Sequence, residues 1–382
     1  MIKILHFITD SNIGGAGKLL CNLIKNMETR EYKTYIALPK NSALIKELSK
    51  LPCIIIPCTQ SPDKSLSLNG IIENYQIIRK IKPDIVHSHA SLSSRIASTL
   101  LNVPSRIYTR HCTFPISKIL KYPIIKMIVG KMNDILSTKI IAVAEAAKLD
   151  LISIGCHNEQ IATVINGVEP IIALTKDEKD YFRALLGIEN TDFVVTILAR
   201  LEKYKGHTTL LRAAKICSKQ HHNFKFLIVG DGSEMNNLKA LASKLKIDHC
   251  VKFLGFCEDV APILNITNLN LNCSYGTETS SLAISEGMSL GIPCIASDFG
   301  GNPHMVKNEI NGLLFPQKNA IALSESIIRL YSESSLYKKC SLGAYKRFHE
   351  EFNAKAMAKE MMSIYKSEYI KHQKIKKLAY KI

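Results

Sequence analysis

Residues 274–303 read SYGTETSSLAISEGMSLGIPCIASDFGGNP. The run LNLNCS (269–274) is strand-like, and a polar loop carrying Gly276 and Glu278 follows it. Thr279, Ser280 and Ser281 are capping residue types ahead of a helix expected to end at Gly291. The N–H groups left over at such a helix start suit a diphosphate. Glu278 falls in the loop, whereas Glu286 falls about one and a half turns into the helix, ~8 Å further along. Two carboxylates so placed can bracket a nucleotide sugar, one at the sugar hydroxyls and one at the ribose diol.

The alternation of strand, loop and helix extends in both directions. In the same half lie FVVTILAR (193–200), KFLIVG (225–230), VKFLGF (251–256) and PCIAS (293–297), with helical patterns from Thr208, Ser233 and Ser281. In the other half KILHFI, TYIALP, CIIIPC, DIVHSH, SRIYTRH and KIIAVA alternate with helical patterns from Lys18, through NYQIIRKI and from Ser93. Such alternation predicts parallel sheets with helices on both faces. VINGVEPI (164–171), with its Asn-Gly and Pro, interrupts the pattern and is followed by the polar LTKDEKD. The fold class is therefore α/β, with two tandem doubly wound domains, 1–171 and 172–353, and a ligand cleft at the carboxyl ends of their strands. Residues 354–382, which contain AKAMAKEMMSIYKSEYI without Gly or Pro, are expected to form a helix packing back toward the first domain.

The first strand runs into TDSNIGGAGKLLCNLI (9–24). A triphosphate loop G-x-x-x-x-G-K-[ST] fails here, because Asn12 stands at its first glycine and Leu19 at its hydroxyl. The dinucleotide pattern G-x-G-x-x-G from Gly15 fails as well, because Leu20 holds the third glycine position. What survives is a glycine-rich loop ahead of a helix whose N–H groups face whatever binds there.

A chain of 382 residues, 46% apolar and 22% charged, can bury two cores. After KILHFI it turns polar at Thr9, Asp10 and Ser11, and no apolar run approaches ~18 residues, so the expectation is a cytosolic protein without a secretory signal or membrane span. Eleven scattered cysteines without C-x-x-C read as reduced and mostly buried. No clustered zinc ligands stand out, and Cys112 beside His111 is the one suggestive thiol pair. The net charge of +17 is concentrated in 116–132 and in 366–382. In the first of these, Lys118, Lys121, Lys126 and Lys131 are interleaved with Ile116, Ile119, Ile124, Ile125 and Ile128. That pattern suits either an anionic membrane surface or a solvated helix face, although Tyr122-Pro123 interrupts its helical period. No aromatic stacking box or recognition motif accompanies the charge, so nucleic acid is not an expected partner.

The two glutamates with the serines between them, the segment GIPCIAS and the second glycine loop together resemble the retaining glycosyltransferases of family 4. These have the GT-B fold of two Rossmann-like domains and an E-x7-E motif. The resemblance covers most of the chain and is closest to bacterial members serving capsule and other cell-envelope polysaccharides. It implies that Arg200 and Lys205 of LARLEKYKGH hold the donor diphosphate, where cations neutralise charge on the leaving group. Gly230, Asp231 and Gly232 of IVGDGSEMNNL then form a loop that lets backbone approach the nucleotide, and the backbone around Phe253 and Leu254 reads the base edge. Thr279, Ser280 and Ser281 hold phosphate, Glu278 positions the sugar and Glu286 anchors the ribose. In the first half it implies that His111 contacts the donor sugar near the reacting carbon, and that Gly14, Gly15 and Ala16 form the loop beside donor phosphate and acceptor.

The function so implied is transfer of a sugar, with retention, from a nucleotide diphosphate sugar to a saccharide or lipid-linked acceptor, with a UDP-sugar favoured. The nucleotide sugar is a substrate, and no cofactor is expected. No Asp-x-Asp occurs to hold a divalent ion on the diphosphate, so no metal is expected. Peripheral contact with the inner face of the cytoplasmic membrane would be made through 116–132. Two alternatives are a nucleotide-sugar epimerase on the same fold and a non-catalytic basic protein binding anionic lipid or nucleic acid.

Overall fold

In the computed structural model, residues 1–12, 14–59, 63–111 and 122–379 are described, with side chains as far as 373. The chain divides into two compact units, Met1–Gly167 with Ala354–Ile382, and Val168–Asn353. The division falls at Gly167 rather than near 172 because Val168 bridges Asn353 and donates its N–H to the Phe352 carbonyl.

The first unit contains β1 (Ile2–Ile8), β2 (Tyr32–Pro39), β3 (Ile54–Cys58), β4 (Ile85–His89), β5 (Ser105–Arg110), β6 (Lys139–Ala142) and β7 (Ile161–Thr163). They pair in parallel in the order β3-β2-β1-β4-β5-β6-β7. Strands covered on both faces should be apolar throughout. Ile4, Leu5, Phe7 and Ile8 of β1 are accordingly fully buried, and His6 is buried among them. β7, three residues long, is too short to show a period in the sequence. The Ala354–Ala379 helix sets Met357, Met361 and Tyr365 into one core with Ile4, Leu23 and Ile85.

Two helices of this unit differ from expectation. The first spans Gly15–Lys25 rather than starting near Lys18, so Gly15 and Ala16 lie within its first turn behind an extended Gly14. Gly17 sits in that turn against Leu44, where a Cβ would overlap the leucine side chain. The second spans Pro123–Leu136 and begins at the proline, which starts the helix rather than interrupting it. Proline suits the first helical position, where no N–H partner is required. Cys112, Ile116, Lys118, Ile119 and Lys121 lie outside the described residues.

The second unit contains β8 (Phe193–Leu198), β9 (Phe224–Val229), β10 (Val251–Gly255), β11 (Leu269–Asn272), β12 (Cys294–Ser297) and β13 (Gly312–Phe315). The order is β10-β9-β8-β11-β12-β13, again parallel at every pair. β13 was not read from the sequence. Its core joins Val195, Leu210, Phe224, Phe226, Leu269 and Ile327.

In each sheet the chain winds outward and then returns beside its starting strand, at β1/β4 and at β8/β11. Loops leaving the carboxyl ends of such a strand pair diverge, and ligands of doubly wound sheets bind in the crevice between them. Among the described residues no helix is long and apolar enough to cross a membrane.

Candidate active site

Lys205 and Glu278 come from the two loops that leave the β8/β11 switch point. A short turn, Lys203–Lys205, follows β8 and closes on Gly206 at φ +78°. A Cβ at Gly206 would overlap the Cys273 carbonyl oxygen, so glycine is needed for both the backbone angle and the approach. The Tyr275 N–H then donates to the Tyr204 carbonyl at 2.8 Å, joining the two loops. Across this junction Lys205 Nζ lies 2.9 Å from Glu278 Oε2. The same oxygen accepts from Asn272 Nδ2 at 3.0 Å and from Ser274 Oγ at 2.8 Å. Burial alone would push the Glu278 carboxyl up, but the Lys205 ammonium and these hydrogen bonds outweigh it and hold it below its usual value. Glu278 is therefore an ionised, oriented carboxylate. Its bond uses one of the three N–H donors that an ammonium has.

The support beneath Glu278 is polar and buried. Asn302 Nδ2 donates to the Ser297 carbonyl and hydroxyl, both at 3.1 Å. Gly300 and Gly301 pack so closely on the carbonyls of Glu278 and Thr279 that a Cβ at either would overlap an oxygen. The second glycine pair of the opening stretch therefore shapes the backbone of the loop. Thr279 is buried and Ser280 half-buried, with the Ser280 hydroxyl lacking a partner among the described residues. Ser281 is the N-cap of the Leu282–Ser289 helix, but its hydroxyl makes no capping bond. Glu286 lies within that helix at intermediate burial.

Arg200 is exposed at the end of β8 and donates to the Tyr204 hydroxyl at 2.7 Å. Gly230 follows β9 at φ +138°, donates to the Gly255 carbonyl at 2.7 Å, and leaves no room for a Cβ beside the Ala199 carbonyl. Asp231 is exposed and accepts from the Gly232 N–H at 2.7 Å. Phe253 and Leu254, both half-buried, pack against cores on the two sides of the second sheet.

In the first unit Gly14 and Gly15 are exposed and Ala16 half-buried, ahead of the helix they open. Asp10 precedes them at the end of β1. Burial, reinforced by Asp63, raises its carboxyl to about 6. His111 follows β5 and bonds through Nε2 to His89 Nδ1 at 2.9 Å, and His89 Nε2 bonds to His6 Nδ1 at 3.1 Å. His87, stacked on His89 with ring centroids 4.3 Å apart, is held between Tyr365 Oη at 2.7 Å and Thr109 Oγ1 at 2.6 Å. Burial lowers His6 to about 3 and His111 to about 4, and lowers His87 and His89 well below the usual value, so the cluster is neutral.

Ring nitrogens of His6, His87 and His89 lie within 4.8 Å of one another, a set able to surround a metal ion. The expectation that no ligands cluster is corrected here: β1 and β4 pair with His6 opposite His87, a register invisible in sequence spacing. In this structure His89 Nε2, His6 Nδ1 and both His87 nitrogens bond to protein partners. The sequence reading also passed over Asn272, Ser274 and Asp10. The polar interruptions in LNLNCS were the signal for the first two, since a buried strand end carries such residues only where they are satisfied.

Two family models cover most of the chain: Glycosyltransferase Family 4 matches residues 13–170, and Glycosyl transferases group 1 matches residues 178–347. The chain is 28% identical over 282 residues to the UDP-Gal:alpha-D-GlcNAc-diphosphoundecaprenol alpha-1,3-galactosyltransferase of Escherichia coli, covering 70% of this chain and 72% of that one. It is 24% identical over 376 residues to the capsular polysaccharide biosynthesis glycosyltransferase CapM of Staphylococcus aureus, covering 95% and 96%. The crystal structure of Anabaena Alr3699/HepE in complex with UDP-glucose superposes with a TM-score of 0.82 at 20% identity, covering 96% of this chain and 100% of that one. With a family 4 domain followed by a group 1 domain, and two parallel sheets of the matching architecture, the chain belongs to the GT-B glycosyltransferases of family 4.

Proposed function

We propose that this glycosyltransferase moves a hexosyl group from a UDP-sugar, with retention and without a metal ion, to a saccharide carried on a lipid diphosphate during envelope polysaccharide assembly. The observation that carries the reading is the Lys205–Glu278 pair, a cation and an oriented carboxylate brought together at a switch point. In the reaction, Arg200, Lys205 and the N–H groups of 279–281 neutralise the departing diphosphate, the work a metal would otherwise do. The leaving phosphate oxygen takes the acceptor proton, Glu278 and His111 position the sugar, and Glu286 anchors the ribose. The Escherichia coli relative, named for a UDP-galactose donor and a diphosphoundecaprenol-linked acceptor, supports this choice of substrates.

A thermal-shift panel of UDP- and GDP-sugars, read beside hydrolysis and transfer, tests it. A bound donor at about 100 times its Kd adds ~2.7 kcal/mol of stability. Preference for GDP-sugars would overturn the donor assignment. Conversion of the donor to an isomer without any acceptor would favour an epimerase, and binding without turnover a non-catalytic protein.

Membrane contact forms part of the proposal. Ile124, Met127, Ile128 and Ile135 of the Pro123–Leu136 helix are between 54% and 68% exposed and, at helical spacing, form one apolar stripe that includes Lys131. Lysines at an anionic surface contribute roughly 1 kcal/mol each. Sedimentation with phosphatidylglycerol vesicles that fails to exceed sedimentation with phosphatidylcholine vesicles would leave this stripe without that role.

A further inference from the structure

The bonds from His6 through His89 to His111 form one chain of imidazoles. His6 and His89 are inclined to each other by 19° and His89 and His111 by 25°, so each link runs edge to edge between nearly coplanar rings. His6 and His89 are fully buried, and the stacked His87, pinned by Tyr365 and Thr109, fixes the plane of His89. A neutral imidazole has one N–H and one lone pair. Three neutral rings with two links therefore have two arrangements in which neither link sets donor against donor or acceptor against acceptor. In one, every ring carries its proton on Nδ1. In the other, every ring carries it on Nε2.

The ends of the chain distinguish the two. The Nε2-protonated arrangement would place an N–H at His6 Nε2, a buried atom with no hydrogen-bond partner among the described residues. The Nδ1-protonated arrangement leaves only a lone pair there and places the last N–H on His111 Nδ1. Buried donors without acceptors are the rarer and costlier defect. We propose that His6 and His89 are positioning residues that hold His111 as its Nδ1–H tautomer, so that His111 meets the donor sugar as a neutral hydrogen-bond donor. The contact with sugar rests on the role given to His111 above, whereas the tautomer does not.

The test uses the full chain labelled with 15N-histidine and long-range proton–nitrogen correlation spectra, with the His111 signal assigned by its loss in His111→Gln. The wild type is expected to carry the His111 proton on Nδ1. His6→Asn, which keeps an amide donor facing His89, should preserve that state and the turnover. His6→Asp replaces the donor by an acceptor, turns the chain round and should move the proton to Nε2, with hydrolysis of UDP-galactose slowed about tenfold and UDP affinity unchanged. Should His6→Asp fail to fold, His89→Leu cuts the chain in the middle and should release His111 from a single tautomer. An Nε2–H tautomer in the wild type, or an Nδ1–H state that persists in the folded His6→Asp or His89→Leu variant, overturns the proposal. Turnover at the wild-type level with a reversed tautomer leaves the relay standing and removes His111 from the sugar.

Discussion

Lys205 Nζ sits 2.9 Å from Glu278 Oε2, with the two side chains 16% and 8% exposed. Because each comes from a different loop, the pair fastens the loop after β8 to the loop after β11 while it places charge at the switch point. Removing one partner therefore has a structural effect and a chemical one, and the two can be separated.

Lys205→Ala leaves a buried carboxylate with only neutral donors, which costs about 3 kcal/mol of stability. It should also lower UDP-galactose hydrolysis by at least ~100-fold while weakening donor binding far less. In the Lys205→Ala/Glu278→Gln double variant the uncompensated charge is gone, so urea denaturation should recover most of the lost stability while turnover stays low. A double variant that regains turnover would reduce Lys205 to a structural fastener.

On the role proposed for Glu286, Glu286→Ala would remove the acceptors for the ribose hydroxyls, an interaction made in ground and transition states alike. UDP affinity should fall about tenfold in calorimetry, with turnover at saturating donor little changed. Undiminished affinity would take Glu286 out of the ribose site.

At Gly301 an added methyl group meets the Thr279 carbonyl oxygen, which belongs to backbone and cannot swing aside. Gly301→Ala should therefore shift the Glu278–Thr279 segment and weaken UDP binding more than Gly15→Ala, whose Cβ meets no atom within 4 Å among the described residues. Equal UDP affinities for the two variants would show that the loop adapts.

Acid should unfold this protein early. Burial holds His6, His87 and His89 neutral well below the usual value, and burial followed by the Lys205 charge brings His207 to about 4. In the unfolded chain the same groups titrate near 6.5, so between that value and the folded pKa the unfolded state binds more protons and stability falls as pH falls. Each such histidine contributes a slope of about 1.4 kcal/mol per pH unit. Glu278 acts in the same sense at lower pH, since its depressed carboxyl loses its stabilising charge as pH drops through the folded pKa. The urea midpoint should decline steadily from pH 7 to pH 5, and a constant midpoint would contradict neutral, buried histidines.

Exhaustive treatment with EDTA should leave both UDP-galactose turnover and the melting temperature unchanged. Lost turnover restored by a divalent ion would assign the diphosphate to a metal, whereas a drop in melting temperature alone would direct attention to His6, His87 and His89.

The sequence made the order of elements legible because strands covered on both faces tend to be apolar, and Ile4, Leu5, Phe7 and Ile8 of β1 follow that tendency, whereas His87, Ser88 and His89 of β4 depart from it where the histidines meet. Glu278 and Lys205 were legible as separate residues within their motifs. Their pairing was not, because it depends on β8 and β11 being neighbours across the switch point. The histidine chain was hidden for the same reason, with its members brought together by strand register rather than by spacing. Pro123 shows a different limit: one residue can end a helix or begin one, and only the chain around it decides which.

The Ala354–Ala379 helix has a consequence for how the chain is made. Met357, Met361 and Tyr365 complete the core around Ile4 and Ile85, yet the ribosome releases them after every other member of that core. At ~5–20 residues per second, extrusion of Val168–Asn353 keeps β1–β7 waiting for ~10 s or longer with part of one face of the sheet, beside the Gly15–Lys25 helix, uncovered. The unit encoded second is complete first. A stop codon just after Asn353 would therefore strip no appendage: it would leave the nascent first unit without the tyrosine that pins His87, and exposed to proteases and chaperones on the face it never closes.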